Sequence, residues 1–313
     1  MRTTFIKTLL ELAEHDERIL LLTADLGYTV VEAFAERFPN RFYNVGVAEQ
    51  NMVGLATGLA EAGFLPFVYS IATFATMRPY EFIRNGPVLH QLPVRIVGVG
   101  GGFEYGTAGP THHALEDVGI LRVQPDLTIV VPADYMQTRT ALRATWDIPG
   151  PVYYRLGKDE RTTVRGLGGT FEMGRAQTIQ EGDDVEVIAM GSVAAEAAAA
   201  VDLLAAEGIS AGFTVVASVA PSPVDDLTRL LARTPVAITV EAHYAVGGVG
   251  SLVSEVIAER GLSTRVVRCA VGARASRRSG SETYLLRSHG LDRQAVAAAA
   301  MQAVRMIPRT VDS

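Results

Sequence analysis

The run Gly46-Val47-Ala48-Glu49-Gln50 sets an acid at the seam between an apolar strand and a helix of small residues. A half-buried carboxylate at a helix N-terminus is favoured by the helix dipole and can serve one fixed donor or protonated nitrogen. By pattern alone, a helix-start acid complementing the dipole is the stronger reading of Glu49. A second candidate is His112, in Gly109-Pro110-Thr111-His112. It lies on a glycine-rich loop, Gly100 to His113, that leaves a predicted strand at its carboxyl end, where open parallel sheets place their ligands. A lone histidine is more often structural than catalytic, but a Gly-Pro turn that fixes a Thr-His pair there makes His112 a better candidate than most. His113 is the less favoured neighbour, and His15, His90, His243 and His289 carry no assignment. Arg155 follows the apolar run Pro151 to Tyr154, and Arg2 precedes the first helix. A guanidinium at either place can grip a phosphate or carboxylate bidentately, with plain surface solvation as the alternative, the stronger one for Arg2.

These groups need a scaffold, and the apolar periodicity predicts a regular alternation of strand and helix. A first helix is marked by Ile6, Leu9, Leu10 and Ala13, then come a buried strand 19–23, a short helix through Phe34 and a buried strand 41–47. Helix 48–62, with Gly54 and Gly58 four apart as in a tightly packed helix, strand 65–70, helix 78–90 and strand 94–99 lead to the loop. Helix 114–121, strand 128–131, helix 134–146 and strand 151–155 complete a first domain, 1–157. Residues 158–184, rich in Gly, Thr and charge, are expected to be a linker. The second domain, 185–313, repeats the pattern with strands 185–190, 212–216, 236–240 and 264–269 and helices 193–207, 249–259 and 292–306. The expected fold is α/β, with two doubly wound sheets.

At 313 residues the chain can bury a sizeable core. No apolar stretch reaches the roughly 18 residues a membrane span needs, and no signal peptide is expected. One cysteine, Cys269, excludes an internal disulfide framework and suits a reducing cytoplasm. The net charge of −6 offers no basic field for nucleic acid.

The Glu49 segment, Gly109-Pro110-Thr111-His112 and Val131-Pro132-Ala133-Asp134, in that order, resemble the pyrimidine-binding half of transketolase-like, thiamine-diphosphate-dependent enzymes, over nearly the whole chain. The resemblance implies a pyrimidine-binding domain followed by a transketolase C-terminal domain. It implies that Glu49 hydrogen-bonds the cofactor's ring nitrogen N1′ and so promotes loss of the C2 proton. An aromatic from the next strand and loop, Phe74, with Tyr69 and Tyr80 as fallbacks, would stack on the pyrimidine. His112 would bond substrate oxygens and assist proton transfer, Arg155 and more loosely Arg2 would anchor the substrate's anionic end, and Asp25 would lie on the thiazolium side, with a helix cap as its alternative.

Two departures concern the sugar: typical transketolases carry Glu-Asp where this chain has Thr107-Ala108, and a histidine where it has Gly100. A site without a hydroxyl's partner cannot select for that hydroxyl, which points to a non-standard sugar. A third concerns the diphosphate, which the family holds through Mg²⁺ or Ca²⁺ with a Gly-Asp-Gly segment and a later Asn. This chain lacks that pair, and Gly182-Asp183-Asp184 is better taken as a charged turn. No metal ligand is assigned here. The expectation is therefore a C-terminal subunit of a split transketolase that transfers a two-carbon ketol unit from a ketose to an aldehyde. An N-terminal subunit would supply the metal and diphosphate site in an α2β2 heterotetramer, with small sugars as substrates and neither nucleic acid nor membrane as partner. The alternatives are the β subunit of a 2-oxo acid dehydrogenase E1 component, a fragment of a 1-deoxyxylulose-phosphate synthase, or a non-catalytic stabilising subunit. In the second domain, Glu241 to Ser251 forms a strand end and glycine-rich turn that could cradle an anion, with a structural role favoured.

Overall fold

A computed structural model describes residues 1–272 and 277–307. Apolar runs of five to seven residues become strands buried on both faces, as parallel sheets require. The strands are β1 (Ile19–Thr23), β2 (Phe42–Asn44), β3 (Leu65–Ile71), β4 (Arg95–Val99), β5 (Thr128–Val130), β6 (Val152–Leu156), β7 (Gln177–Gln180), β8 (Val185–Met190), β9 (Ala211–Val215), β10 (Ser218–Ala220), β11 (Val236–Tyr244) and β12 (Arg265–Val271). The first sheet has the order β10-β5-β6-β4-β3-β1-β2 and the second β12-β11-β8-β9-β7. Pairing is parallel except at two edges, where β10 runs antiparallel to β5 and β7 antiparallel to β9. The α/β expectation therefore holds, with helices covering both sheets.

Three features differ from the sequence reading. The strand expected over 41–47 is a three-residue edge strand with Tyr43 and Asn44 exposed, because β2 ends the sheet and has one neighbour only. Within the expected linker, β7 closes the second sheet, and β10, from beyond that linker, closes the first. The helix expected over 78–90 begins earlier, as Ala72–Met77. It stops before Pro79, which has no N–H to continue it, and resumes as Tyr80–Ile83 and a wide turn, Arg84–Val88, around Pro87.

One apolar cluster joins the two sheets, with Val68, Ile96 and Ile129 from the first packing alongside Ile188 and Met190 from the second. Arg95 is buried inside the first sheet. Its guanidinium donates to the carbonyls of Trp146, Ile148 and Gly150 at 2.7, 2.5 and 2.6 Å, and so satisfies the acceptors left free beyond helix Tyr135–Thr145.

Candidate active site

Beyond β2 the chain passes through Gly46 at φ +75, where an added Cβ would meet nothing within 4 Å, so the backbone conformation and not crowding calls for glycine. This turn aims Glu49 inward as the first residue of helix Glu49–Glu61. The side chain is 1% exposed, deeper than the half-burial expected, because β3 and the segment after it close over it. Oε1 accepts from Ser70 Oγ at 3.1 Å and Oε2 from Arg78 Nη1 at 2.7 Å. A buried carboxylate left without partners would cost several kcal/mol, so this pairing is what lets the acid sit there. Gly54 and Gly58 lie on the exposed face of the same helix and not in a tight contact.

Phe74 is half-buried on helix Ala72–Met77, one turn before Arg78, whose Cζ lies 3.9 Å from the ring centroid. The His112 imidazole meets the same ring edge-on, with centroids 5.1 Å apart at 68°. Its Nδ1 is 3.0 Å from Thr111 Oγ1. Glu49, Phe74, Arg78 and His112 thus form one cluster beside the carboxyl ends of β3 and β4. Tyr105 lies 6.4 Å from His112, and Lys158 Nζ sits 4.2 Å from the Tyr105 centroid while donating to Glu104 O at 3.0 Å. Glu104 accepts from Ser192 Oγ at 2.7 Å and from the Lys158 amide, and burial pushes its carboxyl above the usual range.

Arg155 does not offer itself as a substrate anchor. It is 4% exposed, its Nε donates to Asp117 Oδ2 at 2.8 Å, and its Nη2 donates to Ala114 O at 2.8 Å and Ala242 O at 2.9 Å. The guanidinium is spent on the base of the His112 loop and on β11. A Cβ on Gly101 would fall 2.7 Å from its Cζ, which is why the loop needs glycine there. Tyr69 is likewise corrected as a stacking group. It is 1% exposed, stacks on Phe5 at 5.8 Å and points away from Glu49, since alternation along β3 gives that face to Ser70. Tyr80, half-buried, donates its hydroxyl to Ile120 O at 3.0 Å.

Arg2 is half-buried against Tyr105, and its Nε has no hydrogen-bond partner among the described residues. Asp25 is exposed at the carboxyl end of β1 with φ 53 and caps no helix. Its Oδ1 accepts from Asn44 Nδ2 at 2.9 Å, and its amide donates to Asn44 Oδ1 at 3.0 Å. His113 turns into the core, edge-on to Phe103 at 5.1 Å, and burial lowers its basicity.

In the second half, Glu241 fills the turn that might have cradled an anion. Its two oxygens accept from the amides of Val249 and Gly250 at 2.8 and 2.9 Å, so helix Val249–Arg260 has its first amides filled from within. His243 Nε2 accepts from the Gly119 amide at 3.1 Å, which leaves Nδ1–H to donate to Tyr244 O at 2.7 Å. Asp184 accepts from the Ser210 amide at 2.7 Å, as a charged turn would. Among the described residues no three His, Cys, Asp or Glu side chains gather as a metal site, and no helix is long and apolar enough to cross a membrane.

Four contributors were not singled out from sequence: Ser70, Arg78, Asn44 and Asp117. Two had a local signal. Ser70 follows Tyr69 on a strand and must face the other way, and Arg78 stands at i+4 from Phe74, the spacing that brings two helical side chains together. Asn44 and Asp117 had none, because their partners lie 19 and 38 positions away.

Comparison with known proteins agrees with this geometry. Residues 1–162 match the pyrimidine-binding domain of transketolase and residues 174–296 its C-terminal domain. An apulose-4-phosphate transketolase subunit from Phocaeicola vulgatus is 34% identical over 306 residues, covering 97% of this chain and 97% of its own. A 6-deoxy-6-sulfo-D-fructose transketolase subunit from Clostridium sp. is 36% identical over 260 residues, covering 83% of this chain and 81% of its own. A solved structure described as a split gene transketolase, inactive β4 tetramer, is 36% identical with a TM-score of 0.86 and covers 97% of this chain and 98% of that one. With both domains matched and relatives aligned along nearly their full length, the chain belongs to the transketolase family, as a chain holding its pyrimidine-binding and C-terminal domains.

Proposed function

We propose that this chain is the C-terminal subunit of a split transketolase that moves a two-carbon ketol unit from a ketose to an aldehyde on a sugar other than the ordinary pentose phosphates. The observation that carries this reading is the buried Glu49 carboxylate beside the Phe74 ring and the His112 imidazole. A sunken acid, an aromatic face and a histidine fit the aminopyrimidine half of thiamine diphosphate. When bound, that cofactor supplies the nucleophilic carbon that breaks and makes the carbon–carbon bond. Glu49 would hydrogen-bond the ring nitrogen N1′, Phe74 would hold the ring plane, and Asp25 would border the thiazolium side. His112, fixed by the Gly109-Pro110 turn, would bond substrate oxygens and move protons. With Arg155 enclosed, Arg2 is the arginine left to meet an anionic substrate end.

The diphosphate and its Mg²⁺ or Ca²⁺ would be held by an N-terminal subunit. In support, apolar side chains stand exposed around the Glu49 helix, with Val47 at 71% and Leu55, Met77 and Phe82 beside it, a surface suited to a partner. A relative described as an inactive β4 tetramer fits a chain that needs a second subunit. The assembly would be a cytoplasmic α2β2 heterotetramer. Relatives named for apulose-4-phosphate and for a sulfo-sugar support a specialised substrate, as do Ala108 and Gly100.

The test is calorimetric titration of thiamine diphosphate with Mg²⁺ into this chain, into its mixture with the N-terminal subunit, and into a mixture carrying Glu49→Gln. Binding in the mixture and not to the isolated chain, with affinity reduced at least tenfold by Glu49→Gln, is the expected result. Equal binding to the isolated chain, or indifference to Glu49→Gln, would overturn the reading.

A further inference from the structure

Arg78 makes the two contacts that an aminopyrimidine ring would need. Its planar cation lies 3.9 Å from the Phe74 centroid, and its Nη1 donates to Glu49 Oε2 at 2.7 Å. Ser70 takes the other carboxylate oxygen, and His112 and Phe74 meet as an edge contact at 5.1 Å, so the guanidinium holds the remaining oxygen and lies over the ring. A guanidinium is flat, weakly hydrated and rich in N–H donors, and it stacks on aromatic faces while bonding a carboxylate. No other hydrogen bond or ion pair holds it among the described residues, and its side chain is 40% exposed on the turn after helix Ala72–Met77.

We propose that Arg78 is an internal placeholder for the cofactor's aminopyrimidine. This rests on the reading of Glu49 and Phe74 given above. The guanidinium and the ring compete for one oxygen and one aromatic face, so they bind in alternation. While Arg78 is in place, the buried Glu49 carboxylate is never left unpaired. When the ring arrives, Arg78 swings out on its own torsions toward solvent, with no backbone movement. The apparent cofactor affinity is then the intrinsic one multiplied by the fraction of chains with Arg78 swung out, a cost that a variant without the guanidinium escapes.

The experiment is calorimetric titration of Mg²⁺–thiamine diphosphate into the assembled two-subunit protein carrying wild-type chain, Arg78→Met, Arg78→Lys, or Glu49→Gln. Thermal unfolding of the isolated chain is measured alongside for the singles and for the Arg78→Met/Glu49→Gln double variant. Arg78→Met keeps the aliphatic stem and is expected to bind the cofactor about tenfold tighter, the factor expected if the closed form is about nine-tenths populated. Arg78→Lys, a cation without the flat fork, is expected to fall between. In the isolated chain Arg78→Met lowers the melting temperature, and adding Glu49→Gln recovers part of the loss. If Glu49→Gln weakens binding but both Arg78 variants bind as the wild type does, or more weakly, the placeholder is wrong and the site reading stands. If Glu49→Gln leaves binding unchanged, the site reading itself fails and the placeholder with it.

Discussion

Asp117 Oδ2 accepts from Arg155 Nε at 2.8 Å inside a pair that solvent does not reach, and the same oxygen accepts from Tyr153 Oη at 2.6 Å. Because Arg155 also holds Ala114 O and Ala242 O, this one ion pair ties the base of the His112 loop to both sheets. Asp117→Leu would leave the guanidinium its two carbonyls but no counter-charge, and removing one partner of a buried pair costs about 3–5 kcal/mol. Urea unfolding of the isolated chain should show a loss of that size. A change under about 1 kcal/mol would mean that the cation finds another partner.

On the proposed function His112 would act on substrate while Glu49 and Phe74 hold the cofactor. In the assembled protein, His112→Asn should lower kcat by about 10²-fold, the usual scale of lost proton-transfer assistance, and leave cofactor affinity within about twofold. Steady-state kinetics and titration together check this, and a parallel loss of cofactor binding would move His112 to a structural role.

Glu241 caps helix Val249–Arg260 from within the second sheet. Glu241→Ala orphans two buried amides and should cost about 1–3 kcal/mol in thermal unfolding. Cofactor affinity of the assembled protein should change by less than about twofold, since Glu241 itself touches none of Glu49, Phe74 and His112.

Glu186 is buried on β8, and burial pushes its carboxyl up to about 8. The unfolded chain releases this proton near 4.5, whereas the folded chain keeps it until about 8, so rising pH favours unfolding between those values. The slope approaches about 1.4 kcal/mol per pH unit inside that window and vanishes above it. Glu186→Gln should flatten the fall in melting temperature from about pH 5 to pH 8 and stabilise the chain most at the alkaline end. A variant with the same slope as the wild type would place the titration elsewhere.

Much of this molecule follows from local chemistry. Runs such as Ile19–Thr23 and Val185–Met190 are strands because nearly every side chain is apolar and both faces are covered, and helix starts follow from Gly46 ahead of Glu49 and from Asp134, whose carboxylate accepts from the Gln137 amide. The order of the elements, the α/β class, the acid at the helix start and the loop bearing His112 all depend on neighbours within a few positions, which a linear reading contains. Tertiary structure alone decided that Tyr69 packs on Phe5 while Ser70 faces Glu49, that Arg155 is consumed by Asp117, that Arg78 covers Phe74, and that β7 and β10 seal sheet edges. In each case the outcome turns on which groups come within hydrogen-bonding or van der Waals reach once both sheets have formed. A charge or an aromatic face keeps the same letter in the sequence whether it meets solvent or a buried partner, and the folded packing settles which.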